Sequence, residues 1–185
     1  MDQNLDQDLT SSQQQVHVTF PNQMLENLVS TLQQKDLIGK FSYDSLAFLD
    51  IKNWAFNLWS GLIDIFYHDS ESNFFIAIFN SKEDRDVVNR QKGWFCQGVG
   101  LYTMLWIPNF NPKDINIHFF PYWISFPSLP LEYRDPNILE IIANKLGIFL
   151  KHDLIPYECP HLEVRVCLLS SMHKSVPQSI VLISK

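Results

Sequence analysis

The sequence predicts an α+β fold in which helices cover one face of an antiparallel sheet. Between residues 37 and 110, stretches with strand-like and helix-like apolar patterns alternate in the order strand, helix, strand, strand, helix, strand. A second series, a strand, a helix and three further strands, follows in residues 111–185. Hydrophobic residues make up 46% of the 185-residue chain, which is enough for a buried core and excludes a wholly disordered protein.

The N-terminal part of the chain contains a polar tail and one helix. Residues 1–15 have few side chains to bury, so they are predicted to be disordered. Residues 16–36 are predicted to form a short edge strand at 16–20 and a helix that Pro21 opens. Four apolar side chains recur on one face of this helix: Leu25, Leu28, Val29 and Leu32.

Residues 37–110 supply the six elements of a predicted core. Strands are expected at 37–41, 62–67, 74–79 and 101–106, with a hairpin turn at 69–73. One helix, at 45–59, is expected to be capped by Asp44; the other begins at a capping box of Ser81 and Asp84 and ends near Arg90. This order is that of the split βαβ, ferredoxin-like arrangement of RNA-recognition motifs.

Residues 111–185 are predicted to form a strand–helix–strand extension packed on that core. A strand is expected at 122–126, followed by a helix with Asp135 as its cap, Pro136 at its first position and Gly147 at its end. Further strands are expected at 148–151, 162–168 and 180–183.

Charge and cysteine content narrow the function classes. The net charge is −6, whereas proteins that bind phosphates tightly usually carry a basic excess. Cys96, Cys159 and Cys167 form no paired motif and the N-terminus has no signal peptide, so an intracellular location, nucleus or cytoplasm, is expected. Apolar runs of about six residues are far shorter than the ~20 needed to span a bilayer, so no membrane association is expected.

The order of short signatures from residue 37 to residue 167 resembles a plant family of domains of unknown function. That family forms the N-terminal, gag-like part of LINE-type retroelement proteins and of their domesticated descendants. The resemblance implies an intracellular, often nuclear, nucleic-acid-associated protein with no catalytic activity. The residues that carry it are the segment 37–41, Trp59, Gly61, Phe79, the segment 83–85, Val88, the segment 93–95, Gly98, Trp106, Pro108, Phe110, Trp123, Leu129, Pro130, Tyr133, Leu146, Gly147 and the segment 165–167.

Two features depart from the family pattern. The proline that usually separates the glycine and the tryptophan is missing between Gly93 and Trp94. The Cys-Cys-His-Cys zinc knuckle that commonly follows the domain does not occur in the sequence up to Lys185. Because the knuckle is the part most directly tied to nucleic-acid contact in relatives, protein–protein interaction or self-association without nucleic-acid contact is the alternative function.

Candidate base-stacking residues lie on the strand that corresponds to the conserved aromatic strand of RNA-recognition motifs. Alternation places Phe74 and Ile76 on the face away from the helices, with Phe66 on the neighbouring strand. Phe74 and Phe66 are therefore the predicted stacking residues. The alternative is that this apolar face is buried beneath the second half of the chain.

Four basic residues are the predicted phosphate contacts: Lys40, Arg85, Arg90 and Lys92. Acidic neighbours at Glu83, Asp84 and Asp86 support an alternative, a solvated and ion-paired helix face.

Metal binding and catalysis have little support in the sequence. Cys159, His161, Cys167 and His173 lack the spacing of a zinc knuckle or finger, so no metal or other cofactor is expected. No nucleophile–base–acid grouping and no phosphate-binding loop is present, so a non-enzymatic protein is predicted. Trp94, Trp106 and Trp123 are expected to join the two halves of the core, and an exposed subset would form a partner-binding patch. The predicted partners are RNA or single-stranded DNA, or else a second copy or another protein.

Overall fold

A computed structural model describes residues 18–43, 46–69, 71–153 and 163–183. It contains four α-helices and two antiparallel sheets within these ranges, so the predicted α+β class is confirmed. None of the helices described is long and apolar enough to cross a membrane. The helices are α1 (Asn22–Lys35), α2 (Phe48–Leu58), α3 (Lys82–Arg90) and α4 (Pro136–Leu146).

The first sheet has five strands in the order β2-β3-β1-β5-β4, and every neighbouring pair is antiparallel. Its strands are β1 (Asp36–Phe41), β2 (Leu62–Asp69), β3 (Phe74–Phe79), β4 (Trp94–Cys96) and β5 (Val99–Leu105). Alternate residues of β1, β3 and β5 turn toward α2 and α3 and form the main core. Phe75 and Phe79 are fully buried there beside Trp59 of the α2 C-terminus.

The second sheet has three antiparallel strands in the order β6-β8-β7. Its strands are β6 (Phe119–Phe126), β7 (Ile148–His152) and β8 (Val164–Ser171). One face of this sheet packs on α4, where Leu139, Ala143 and Leu146 meet Val166 and Leu168 in a second core. The opposite face carries Trp123 and Cys167, because side chains alternate along each strand.

The two sheets touch at Gly100 and Gly93. A methyl group on Gly100 would overlap the backbone carbonyl oxygen of Pro121, so β6 approaches β5 as closely as glycine allows. Gly93 accepts a hydrogen bond from Lys151 Nζ of β7 at 2.9 Å.

Local signals predicted several helix ends correctly. Ser81 Oγ accepts a hydrogen bond from the Asp84 N–H at 3.1 Å and starts α3 as expected. Asp135 caps α4 with Pro136 in the first turn, and Gly147 follows the helix. Asp44, predicted to cap α2, lies outside the described residues, and Ala47 occupies the N-cap position.

Three strand predictions differ from the structure. The strand predicted at 180–183 is wrong, because this segment pairs with no strand among the described residues. Ile180 and Leu182 line a cavity beside β6 and α4, whereas Val181 and Ile183 are 82% and 79% exposed. Residues 18–20 form no strand, and the rest of that predicted edge strand lies outside the described residues, as does the tail at 1–15. Residues Trp94–Cys96, for which no strand was predicted, form the short strand β4 paired with β5.

Candidate nucleic-acid interface

The two predicted stacking aromatics have different environments. Phe74 is fully buried, with the ring of Phe110 at 5.3 Å in an edge arrangement. Ile76 beside it is 6% exposed, so the chain after β5 covers this part of the sheet. Phe66, on the edge strand β2, keeps 42% of its surface exposed. In this conformation Phe66 alone of the pair offers a ring to solvent.

Lys40 and Lys92 both bind carbonyl groups of their own chain. Lys40 Nζ lies 4.3 Å from the centre of the Phe74 ring and donates to the Ser72 carbonyl oxygen at 3.2 Å. Lys92 Nζ donates to the Thr103 carbonyl oxygen at 2.8 Å and to Asn89 Oδ1 at 3.1 Å. Burial lowers the pKa of both lysines. Each ammonium group therefore satisfies local backbone oxygens rather than projecting toward a ligand.

Arg85 is an interior residue. Its side chain is 2% exposed, and it pairs with Asp86 through Nη2 at 2.5 Å and Nε at 3.0 Å. The other end of the guanidinium donates to the Gln33 carbonyl oxygen in the last turn of α1. Asp36, where α1 meets β1, is 4% exposed. Burial raises the pKa of this carboxyl to about 6, although the charge of Arg85 lowers it. Arg85 thus fixes α1 to α3 and is not placed to contact phosphate.

Arg90, in the last turn of α3, is exposed to solvent. It does not share a surface with Phe66, since α3 covers the face of the sheet that Ile65 enters, and Phe66 points to the opposite face. The sequence-predicted residues therefore do not converge on one binding surface.

Four other residues do form a basic and aromatic cluster, on the face of the second sheet away from α4. We call this cluster the Trp123 platform; it consists of Phe95, Trp123, Lys151 and Arg165. The Arg165 guanidinium lies 5.4 Å from the centre of the Trp123 ring, and Lys151 Nζ lies 5.9 Å from it. The Phe95 ring of β4 is 6.2 Å from the Trp123 ring at an angle of 32°. Aromatic rings and cations at these distances attract one another and keep the cluster together.

Arg165 is an exposed part of the Trp123 platform, and an ion pair orients it. Its Nε and Nη2 both donate to Asp153 Oδ2, at 2.7 and 2.6 Å, while 51% of its side chain remains exposed. The Asp153 N–H in turn donates to the Arg165 carbonyl oxygen at 3.1 Å. The two bonds to one carboxylate oxygen restrict the guanidinium beside the Trp123 ring, and about half of the side-chain surface remains accessible to a ligand.

Cross-strand register brings the Trp123 platform together. Trp123 of β6 lies opposite Cys167 of β8, which in turn lies opposite Lys151 of β7. Arg165 lies two residues before Cys167 on β8, so its side chain is on the same face, opposite Ser125 of β6. The Cys167 thiol beneath them is buried, which raises its pKa to about 11 and keeps it protonated. Sequence reasoning missed this cluster because it assigned Trp123 to the core and could not predict the strand order β6-β8-β7. Alternation in the predicted strands at 122–126 and 162–168 was the signal that could have paired Trp123 with Arg165.

Two other features of the second half bear on the sequence hypotheses. Within the described ranges no three His, Cys, Asp or Glu side chains come together as metal ligands. His118 and His173 do meet, with ring nitrogens 3.1 Å apart, whereas Cys159 and His161 lie outside the described residues. The segment 127–130, which follows β6, lines an apolar cavity of about 410 Å³ between α4 and residues 176–182, with Leu129 packed on the second core.

Comparison with known proteins gives one result for the first half of the chain. No curated protein shows significant similarity to this sequence. Residues 30–114, just under half of the chain, match the family described as a domain of unknown function (DUF4283), and the match spans the five-stranded sheet with α2 and α3.

Proposed function

We propose that this chain is a non-enzymatic, gag-like nucleic-acid-binding module that contacts single-stranded RNA or DNA through the Trp123 platform. The observation that carries the proposal is the Arg165 guanidinium, which Asp153 holds beside Trp123 while about half of the side chain stays exposed. Unpaired bases stack on arginine planes as well as on aromatic rings. Lys151 beside the guanidinium donates to the Gly93 carbonyl oxygen, but unlike the half-buried Lys40 and Lys92 it is exposed to solvent. Its charge and that of the guanidinium would therefore also attract the phosphate backbone.

Retroelement descent, a plant source and an intracellular location in nucleus or cytoplasm belong to the same proposal. They are supported by the family match at residues 30–114 and by the ordered signatures between residues 37 and 167. The buried thiols of Cys96 and Cys167 suit a reducing compartment.

The first sheet, in this proposal, is an RNA-recognition-like, ferredoxin-like split βαβ arrangement. The strand order β2-β3-β1-β5, with antiparallel neighbours and with α2 and α3 packed on one face, supports it. Its outer face is covered near Phe74, so the proposed contact lies on the second sheet instead of the usual sheet surface.

A salt-titrated binding assay tests the proposal. Labelled single strands of RNA and of DNA, about 12 nucleotides long, fall within the site size of one small domain. Anisotropy measured from about 20 to about 200 mM salt should give binding that weakens with a log–log slope near −1.4, because each neutralised phosphate of a single strand contributes about −0.7. The absence of binding at the lowest salt would refute the proposal.

Two arginine variants locate the contact. Arg165→Gln removes the guanidinium plane as well as one charge, so affinity should fall about tenfold, within the ~1–3 kcal/mol assigned to one stacked base. Arg90→Gln removes the same charge from an exposed site on α3, and affinity should change little. Equal losses in both variants would mean that the Trp123 platform is not the contact surface.

Protein interaction is the second candidate function, and one observation favours it. The helix α1 has no buried residue, although its sequence contains an apolar stripe.

A further inference from the structure

The apolar stripe of α1 is uncovered along most of its length. Met24, Leu25 and Leu28 are 70%, 47% and 56% exposed, and Phe20 just before the helix is 54% exposed. An amphipathic helix of a globular protein normally buries this stripe, because an isolated helix of about this length is marginally stable in water. Within the part of the chain that the structure describes, the stripe therefore lacks the partner surface that its sequence pattern calls for.

The orientation of α1 is fixed by its last turn. Arg85 of α3 donates to the Gln33 carbonyl oxygen, and β1 begins at Asp36, directly after the helix. Val29 and Leu32 are partly covered near this attachment, whereas the first two turns project from the body. The open part of the stripe is thus held in a defined direction.

We propose that a second copy of this chain covers the stripe, in an antiparallel pairing of the two α1 helices about a twofold axis. With the axis between Glu26 and Asn27, Leu25 of one copy faces Leu28 of the other, and Met24 faces Val29. Both of these contacts are between apolar side chains. A twofold pairing uses the same patch on both copies, which is the commonest symmetry of protein dimers.

Charge makes a second copy a suitable occupant despite the net charge of −6. Between residues 18 and 35 the only charged side chains are Glu26 and Lys35, so this part of the chain is neutral. Two copies therefore meet at α1 without like-charge repulsion across the contact, while the acidic remainder of each molecule lies elsewhere.

Helix length sets the strength of this dimer. The 14 residues of α1 extend for about 21 Å, so two such helices cover less than the ~800 Å² per partner of a stable interface. The dimer should therefore be weak, with a dissociation constant above ~1 µM, the weak end of the range for full-size interfaces.

Sedimentation equilibrium of nucleic-acid-free protein, from about 5 to about 500 µM, tests the pairing across the range expected for such an interface. The average mass should rise from monomer toward dimer across this range. Leu25→Glu/Leu28→Glu should remain monomeric throughout. Because both leucines are exposed, the far-ultraviolet circular dichroism and the unfolding midpoint should match those of the wild type.

A matched control places the same two charges on the other side of α1. Gln23→Glu/Asn27→Glu alters exposed residues on the polar face, where Gln23 Nε2 donates to Asn27 Oδ1 at 3.0 Å, and this variant should dimerise like the wild type. A wild-type protein that stays monomeric up to the highest concentration would overturn the proposal. So would equal weakening by the two double variants. Neither result depends on nucleic-acid binding, so failure here is separate from failure of the proposed function.

Discussion

Replacing Asp36 with Asn should make the protein more stable at neutral pH and leave its stability nearly unchanged in acid. Burial outweighs the attraction of Arg85 and raises the pKa of Asp36 from its ordinary value of 3.8 to about 6. The physical reason is that the Arg85 guanidinium already binds Asp86 and the Gln33 carbonyl oxygen, so it compensates the Asp36 charge only in part.

The sign and size follow from proton linkage. A carboxyl with a raised pKa holds its proton more tightly in the folded state, so its contribution to stability is lost as pH rises from the unfolded to the folded pKa. Each pKa unit corresponds to about 1.36 kcal/mol, so the total loss between strong acid and pH 7 is about 3 kcal/mol. About 2 kcal/mol of this loss falls between pH 4.5 and pH 7.5. The free energy of unfolding of Asp36→Asn, relative to that of the wild type, should therefore increase by about 2 kcal/mol from the lower to the higher pH.

Urea unfolding of wild type and variant at these two pH values measures the effect, with linear extrapolation to water. Asp64→Asn is the control, because the hydrogen bond from Lys52 lowers the pKa of this exposed carboxyl and its contribution is lost only in stronger acid. The difference between Asp64→Asn and wild type should therefore stay almost constant over the interval. If the wild type instead becomes more stable relative to Asp36→Asn as pH rises, Asp36 is ionised and paired with Arg85, and that result would refute the reasoning.

Two further predictions concern residues inside the first sheet and its helices. Arg85→Gln should lower the free energy of unfolding by about 3 kcal/mol, because it leaves the buried partners of the guanidinium unsatisfied. Arg90→Gln, at an exposed site, should change the free energy of unfolding by less than about 0.5 kcal/mol. Equal effects of the two variants in urea unfolding would contradict an interior role for Arg85. Gly39→Ala should cost about 1–3 kcal/mol, since the added methyl group would overlap the buried Phe75 ring, and a variant as stable as the wild type would show that Phe75 can move aside.

The elements that sequence reasoning predicted well are those specified by neighbouring residues. The capping box at Ser81 and the cap at Asp135 are local hydrogen bonds, and the structure contains both. Alternation also assigned Phe74 and Phe75 to opposite faces of β3 correctly. The strand predicted at 180–183 failed because an apolar run does not show whether a strand edge is available to pair with it. Here Val181 and Ile183 stay exposed, and Ile180 and Leu182 line a cavity wall.

The candidate site was harder to predict because its properties depend on contacts between distant residues. Arg85 lies on a helix rich in charged residues, so its sequence context predicts a solvent-exposed side chain. In the structure its guanidinium is buried and donates a hydrogen bond to the carbonyl oxygen of Gln33, which lies 52 positions earlier in the sequence. Phe74 has the position of a stacking residue, but Phe110 from the following connector covers it. Whether a face is open is decided by the chain that crosses it, and periodicity within a strand carries no information about that chain.

The two proposed surfaces strengthen one another on physical grounds. A platform with only Lys151 and Arg165 as cations, on a chain with a net charge of −6, would hold a polyanion weakly by itself. Pairing through α1 would place two platforms in one particle, and the second contact with the same strand would then occur at an effective concentration in the millimolar range. Weak self-association suits this arrangement, since copies gathered along one nucleic acid are concentrated enough to pair there, while free copies in dilute solution remain monomeric. Nucleic-acid binding and dimerisation would then be coupled, and each would favour the other by the same coupling free energy.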